Sequence, residues 1–374
     1  MMKELTGPLQ GTADERLADV VDRLVGHLHN DPDFSFQAAA YRHGDLVLDV
    51  WDGPHLGQDS MIVPFSVTKG TIGMAVGLLL ERGLLDLDQT VGHYWPEFGS
   101  RGKEHVTVRM LLSHQAGLPQ ASPPLEWDEL LDHHAAAERL ANTSPFWYPG
   151  SAFGYHAVTI GNLASELVYR ITGRTLNDFY ELQIRRPYDI DFYLGLPPDL
   201  DSRRVPVLPM IRPLADSDPS FASVLTPLVF GPPPSGRSVD LGNDEVSFRF
   251  GHPVASGVGS ARGIARLYAA ATTGIDGKPA SSALPPSSRW DSSRCAATTR
   301  CSVSRTGLTA SSFRSPAHRW PGAVLAPSAT TERWAASAAS TRTPASRSAT
   351  PSRARRGLAE RTRGHSPWPA SSTR

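Results

Sequence analysis

Cysteine is nearly absent from this chain: there are two in 374 residues, Cys295 and Cys301. Both lie in the last quarter, and they provide no disulfide framework. No run is long and apolar enough to span a membrane. Met1-Met2-Lys3 leads into polar residues and an amphipathic helix, not into the apolar core of a signal peptide, so the expected compartment is the cytoplasm. There is no glycine-rich phosphate loop and no zinc-ligand spacing, and neither a cofactor nor a metal is expected.

From about Ser281 onward the absences multiply, with no Lys, Ile, Tyr, Met, Asn or Gln. Ser, Ala, Arg, Thr and Pro dominate there. This tail holds 15 of the 37 basic residues but only three of the 37 acidic ones, Asp291, Glu332 and Glu360. The formally neutral chain is therefore a body of about −12 joined to a tail of about +12. Three readings compete. A basic Arg/Ser tract could bind nucleic acid, but these arginines are scattered and no aromatic pattern accompanies them. Low hydrophobicity with high charge also suits a disordered extension. The third reading is translation out of frame, since residues encoded by GC-rich codons are what a shifted GC-rich gene produces. It is preferred, which divides the chain into a body at 1–280 and a tail at 281–374.

Within the body, Ser66-Val67-Thr68-Lys69 is the most informative feature. It opens an apolar segment, Gly70 to Leu85, whose pattern predicts a helix without a polar face, the kind buried in a large core. Serine and lysine three apart on a helix share one face. An amine held that close can take the serine's proton and leave a nucleophile. Burial lowers a lysine's pKa, the condition for a base that works near neutral pH. The bland alternative is a serine near a helix start followed by a solvated lysine.

Longer segments surround this tetrad. Pro64-Phe65-Ser66-Val67-Thr68-Lys69-Gly70 is followed by Glu81 to Asp88, Val91 to Phe98, Val106 to Pro119, Tyr148 to Tyr155 and Ala255 to Gly263. Over roughly residues 15–275 the chain resembles the class C β-lactamase group of serine hydrolases, which includes family VIII carboxylesterases and D-alanyl-D-alanine peptidases. The resemblance implies an α/β (α+β) fold, with an antiparallel sheet flanked by helices and a mostly helical region, the active site lying between them. It also implies that Ser66 is acylated, that Lys69 is its partner, and that Tyr155 shuttles protons with the lysine. A phenol flanked by a cation is expected to be drawn toward ionisation.

The departures from the family pattern carry information too. Members that process β-lactams have an asparagine two places after the tyrosine, whereas this chain reads Tyr155-His156-Ala157. A methyl group makes neither hydrogen bond of a carboxamide, which favours a small ester as substrate over a lactam or peptide. His156 and His114 are read as structural, His156 because a neighbour on a helix points to another face. The family's third motif, a Lys-Thr-Gly, His-x-Gly or Trp-Gly-Gly triplet on the strand beside the serine, has no convincing copy. Arg305-Thr306-Gly307 has a similar form but sits in the tail and is taken as coincidence. If the final strands are missing, the sheet has an unpaired edge and the chain is marginally stable and weakly active. A remnant that binds acyl ligands without turning them over is the alternative from another class.

Ala13 to His29 has helical spacing in Leu17, Val20, Val21, Leu24 and Val25. Phe36 to Tyr41 and Leu46 to Trp51, joined at His43-Gly44-Asp45, read as a hairpin. The Pro-rich stretch from Leu196 to Pro234 lacks periodicity and is expected to form loops at the mouth of the site, where substrate range is decided. Neither nucleic acid nor a membrane is an expected partner.

Overall fold

The computed structural model describes residues 2–31, 33–208, 238–280 and 335–338. The hairpin forms from two short runs that are covered on both faces, six consecutive residues being buried in the first and four in the second. Strands β3 (Phe36–Arg42) and β4 (Asp45–Asp52) pair antiparallel, with Arg42 opposite Asp45. The two residues between them, His43 at φ +52° and Gly44 at φ +92°, both take the left-handed backbone that a tight two-residue hairpin turn requires. Two shorter strands, β1 (Met2–Glu4) and β2 (Gln10–Asp14), extend the sheet on the β4 side.

Helix α1 runs Ala18–Asn30, not from Ala13 as the spacing suggested. Residues 10–13 pair instead with Leu48 to Trp51 of β4, and the Asp14 carboxylate caps the turn that follows by accepting from the Arg16 N–H. Local helical periodicity lost here to a sheet edge that needed partners. Leu17, Val21, Leu24 and Val25 pack on Phe36, Ala38, Ala40, Leu48 and Val50, one face of the sheet. The alternate residues Ala39 and Tyr41 meet Ala265, Ala269 and Ala270 of a helix on the other face, in keeping with the two-residue period of a strand.

The largest core lies in a helical region built from α2 (Lys69–Glu81), α3 (His133–Ala141) and α4 (Thr159–Thr172). Ten of the 13 residues of α2 are buried, as its all-apolar pattern predicts. A two-stranded sheet, β5 (Phe192–Tyr193) with β6 (Val258–Gly259), links this region to the last long helix, α5 (Ala261–Thr272). Ser260 caps α5 by accepting from the Gly263 N–H.

One strand comes from the tail. Residues Ala335–Ala338 form β7, antiparallel to β3, with Ala38 opposite Ala338 and Tyr41 opposite Ala335. The expected unpaired edge is thus occupied, because the free N–H and C=O groups of β3 take a partner wherever one is within reach. The sheet order is β1-β2-β4-β3-β7. The rest of the tail, including Arg305-Thr306-Gly307, lies outside the described residues, as does most of the Pro-rich stretch. Among the described residues no helix is long and apolar enough to cross a membrane.

Candidate active site

Three side chains meet where α2 begins. Ser66 sits on a 3-10 turn, Phe65–Thr68, that leads into the helix, and it is open to solvent. Lys69 is the first residue of α2 and is 7% exposed. The turn keeps the two on one face, with Lys69 Nζ 3.1 Å from Ser66 Oγ. Tyr155 enters from the loop before α4, and its Oη is also 3.1 Å from Ser66 Oγ. Lys69 Nζ lies 5.1 Å from the centre of the Tyr155 ring. All three candidate residues are therefore brought together.

The loop from His252 to Gly257 supplies a fourth group. The Val254 carbonyl accepts from Lys69 Nζ at 3.3 Å, and the Gly257 N–H donates to Thr68 Oγ1 at 3.2 Å. Gly161 in the first turn of α4 lets this loop come close. A Cβ there would lie 2.6 Å from the His252 ring and 2.8 Å from Val254. One carbonyl at 3.3 Å is thin solvation for an ammonium. Burial pushes the Lys69 pKa down to about 7.

The phenol behaves differently from the sequence expectation. Burial raises the Tyr155 pKa above the ordinary value of 10, and the hydrogen bond from Ser66 only partly offsets this. A flanking cation was expected to draw the phenol toward ionisation. The neighbour is instead an amine that gives up its charge from about pH 7 upward, before the phenol titrates, and desolvation disfavours the phenolate. Tyr155 is thus a proton donor at neutral pH.

Both histidines are spent on structure. His156 Nε2 accepts from the Leu118 N–H at 2.9 Å, and Nδ1 donates to the Gly154 carbonyl at 2.5 Å. Burial pushes its pKa down to about 4. His114 Nδ1 accepts from the His156 N–H at 3.2 Å, and its ring meets the Tyr155 ring edge-on at 5.2 Å. Burial also holds the His114 pKa well below the usual imidazole value. The reason differs from the one expected, because Tyr155 and His156 lie on a loop and not on a helix. The bonds to backbone, and not a helical face, take His156 away from the serine.

Two features gave no clear signal in the sequence. One is the Val254 carbonyl, since any residue supplies a carbonyl. The other is Phe65, which precedes the serine with φ at +47°. A bulky residue in this region costs on the order of 1–3 kcal/mol and persists only where its surroundings enforce it. Ala157, two places after Tyr155, is buried and offers only a methyl group, with neither hydrogen bond of a carboxamide. Among the described residues no group of three or more His, Cys, Asp or Glu gathers to hold a metal ion.

The fold and the paired Ser66 and Lys69 carry the family likeness. The chain belongs to the β-lactamase family, whose model matches residues 28–357, further into the tail than the motifs can be read. It is 33% identical over 291 residues to the esterase/β-lactamase LipL of Mycobacterium tuberculosis, a match covering 71% of this chain. The chain spans 66% of that protein's length, just under two thirds. Among solved structures it is similar to EstA from Arthrobacter nitroguajacolicus Rue61a, with 41% identity, a TM-score of 0.63 and 71% of each chain covered. A family VIII carboxylesterase matches at 31% identity and a TM-score of 0.65, covering 74% of this chain and 75% of its own.

Proposed function

We propose that this protein hydrolyses small carboxylic esters through an acyl-enzyme on Ser66. The observation that carries the reading is an exposed serine hydroxyl held 3.1 Å from a buried amine whose pKa sits at about 7. Neutral Lys69 takes the Ser66 proton while the Val254 carbonyl holds the amine in place. Ser66 Oγ bonds to the ester carbonyl carbon, and the C–O bond to the alcohol then breaks. Tyr155, still protonated, gives the departing alkoxide its proton and regains one from the Lys69 ammonium. Water follows the same path in reverse, losing a proton as it attacks the acyl carbon and leaving Ser66 protonated again.

The absence of an amide at Ala157 favours an ester over a lactam, and likeness to a family VIII carboxylesterase supports that choice, while the name of LipL covers both substrates. Turnover of 4-nitrophenyl acetate and butyrate by the full chain tests the reading. Replacement Ser66→Ala should lower turnover by at least about 10³-fold, as loss of a nucleophile does in acyl transfer. Hydrolysis that survives the substitution would sink the proposal. Faster turnover of nitrocefin than of either ester would move the substrate class to lactams.

A further inference from the structure

The strained backbone at Phe65 is propped by residues distant in sequence. The Phe65 ring lies against Gly242, where a Cβ would sit 3.0 Å from the ring and 2.9 Å from the Val207 side chain. Met61, Val63, Leu196, Phe248 and Val258 form the buried cluster on which Phe65 and Val207 pack. Asn243, next to Gly242, closes the arrangement with both ends of its carboxamide. Its Oδ1 accepts from the Val207 N–H at 2.9 Å, and its Nδ2 donates to the Val207 carbonyl at 2.9 Å. Two segments 36 residues apart are thereby clamped into one wall, and the residue before the nucleophile leans on it.

We infer that Asn243 is a positioning residue for Ser66. By clamping Val207 beside Gly242 it seats the Phe65 ring, and the seated ring keeps Phe65 in the left-handed conformation that presents Ser66 Oγ to Lys69 and Tyr155. Without the clamp, Phe65 relaxes toward negative φ, since a residue with a Cβ leaves the left-handed region when nothing holds it there. Ser66 then turns away from the amine. Lys69 stays buried and keeps its pKa, because none of these groups touches it. The effect is therefore on rate and not on the pH at which the rate appears.

This inference rests on Ser66 being the nucleophile, and the experiment separates the two claims. The rate of Ser66 labelling by a fluorophosphonate probe is measured against pH in the wild type, Asn243→Ala, Phe65→Gly and the double variant, with melting temperatures alongside. Asn243→Ala should label about tenfold more slowly, with the midpoint of the pH profile unmoved. In the Phe65→Gly background the same substitution should cost less than about twofold, because glycine holds a positive φ without a prop. Independent, additive losses in the double variant would overturn the inference, as would an unchanged labelling rate in Asn243→Ala. A wild type that is not labelled at Ser66 removes the hydrolase reading and this inference with it. If Asn243→Ala does not fold, Gly242→Ala serves in its place. Its Cβ displaces the Phe65 ring directly, and an unchanged labelling rate there would also overturn the claim.

Discussion

Two lysines are buried in this molecule, and although burial lowers the pKa of both, their surroundings offer the ammonium different numbers of acceptors. Lys103 is fully enclosed, yet its ammonium donates to the Ala141 carbonyl at 2.9 Å and the Thr143 carbonyl at 2.7 Å. It lies over the Phe98 ring at 5.4 Å, and its two carbonyls come from the last residue of α3 and from Thr143 just beyond it, where a helix dipole favours a cation. Burial lowers its pKa only to about 8, so it is mostly charged at neutral pH. Lys69 has one carbonyl at 3.3 Å and a serine hydroxyl, and its pKa falls to about 7. Burial alone does not make a lysine a base. A base results when burial is combined with too few acceptors to hold the ammonium, and a structural strut results when the acceptors are supplied.

Substituting methionine at each position should separate the two roles most sharply. Lys69→Met removes the proton acceptor and should lower ester turnover by about 10³- to 10⁴-fold. It should also raise the melting temperature, because a poorly solvated amine is replaced by an apolar side chain of similar volume. A steady-state assay and a thermal melt on the same sample read both outcomes. Lys103→Met should do the reverse. Two buried carbonyls lose their donor at roughly 1–3 kcal/mol each, so a denaturant titration should find about 2–6 kcal/mol less stability. The pH midpoint of turnover in the surviving folded protein should stay where it was.

A smaller effect is expected at the phenol. Tyr155→Phe keeps the ring beside His114 and Lys69 but removes the hydroxyl 3.1 Å from Ser66 Oγ. Loss of one proton-transfer partner should reduce kcat by about 10²-fold. Because the Tyr155 pKa lies above 10, the rise of activity near neutral pH should survive the substitution. A variant that lost this rise would make the phenol, and not Lys69, the group that titrates.

The contrast between the lysines also marks how far the sequence could be read. Ser66 and Lys69 were legible because a three-residue spacing on a helical turn is a local property. The buried α2 and the β3–β4 hairpin were legible for the same reason, through apolar periodicity and turn chemistry. Lys103 was not. It stands in Ser100-Arg101-Gly102-Lys103-Glu104-His105, which reads as a solvated loop, and only the distant carbonyls of Ala141 and Thr143 make its burial tolerable. The Val254 carbonyl, the left-handed Phe65 and the Asn243 clamp were hidden likewise, since each depends on chain segments that meet only after folding. Residues 13–17 failed differently. Their spacing fits a helix, but Ala13 pairs with Leu48 of β4, and the Asp14 cap turns Glu15 to Leu17 into a 3-10 turn, which together outweighed a propensity that is weak on its own.

The most direct test of the account is the pH profile of kcat/KM for 4-nitrophenyl acetate in the full chain, from pH 5 to 10. A lowered lysine pKa means that the base is protonated and idle below the midpoint and free above it. Activity should therefore rise tenfold per pH unit at the acid end and level off through a midpoint of about 7. A rise centred near the ordinary lysine pKa of about 10.4 would contradict the claim that burial has turned Lys69 into the base for Ser66, as would a profile flat across neutrality.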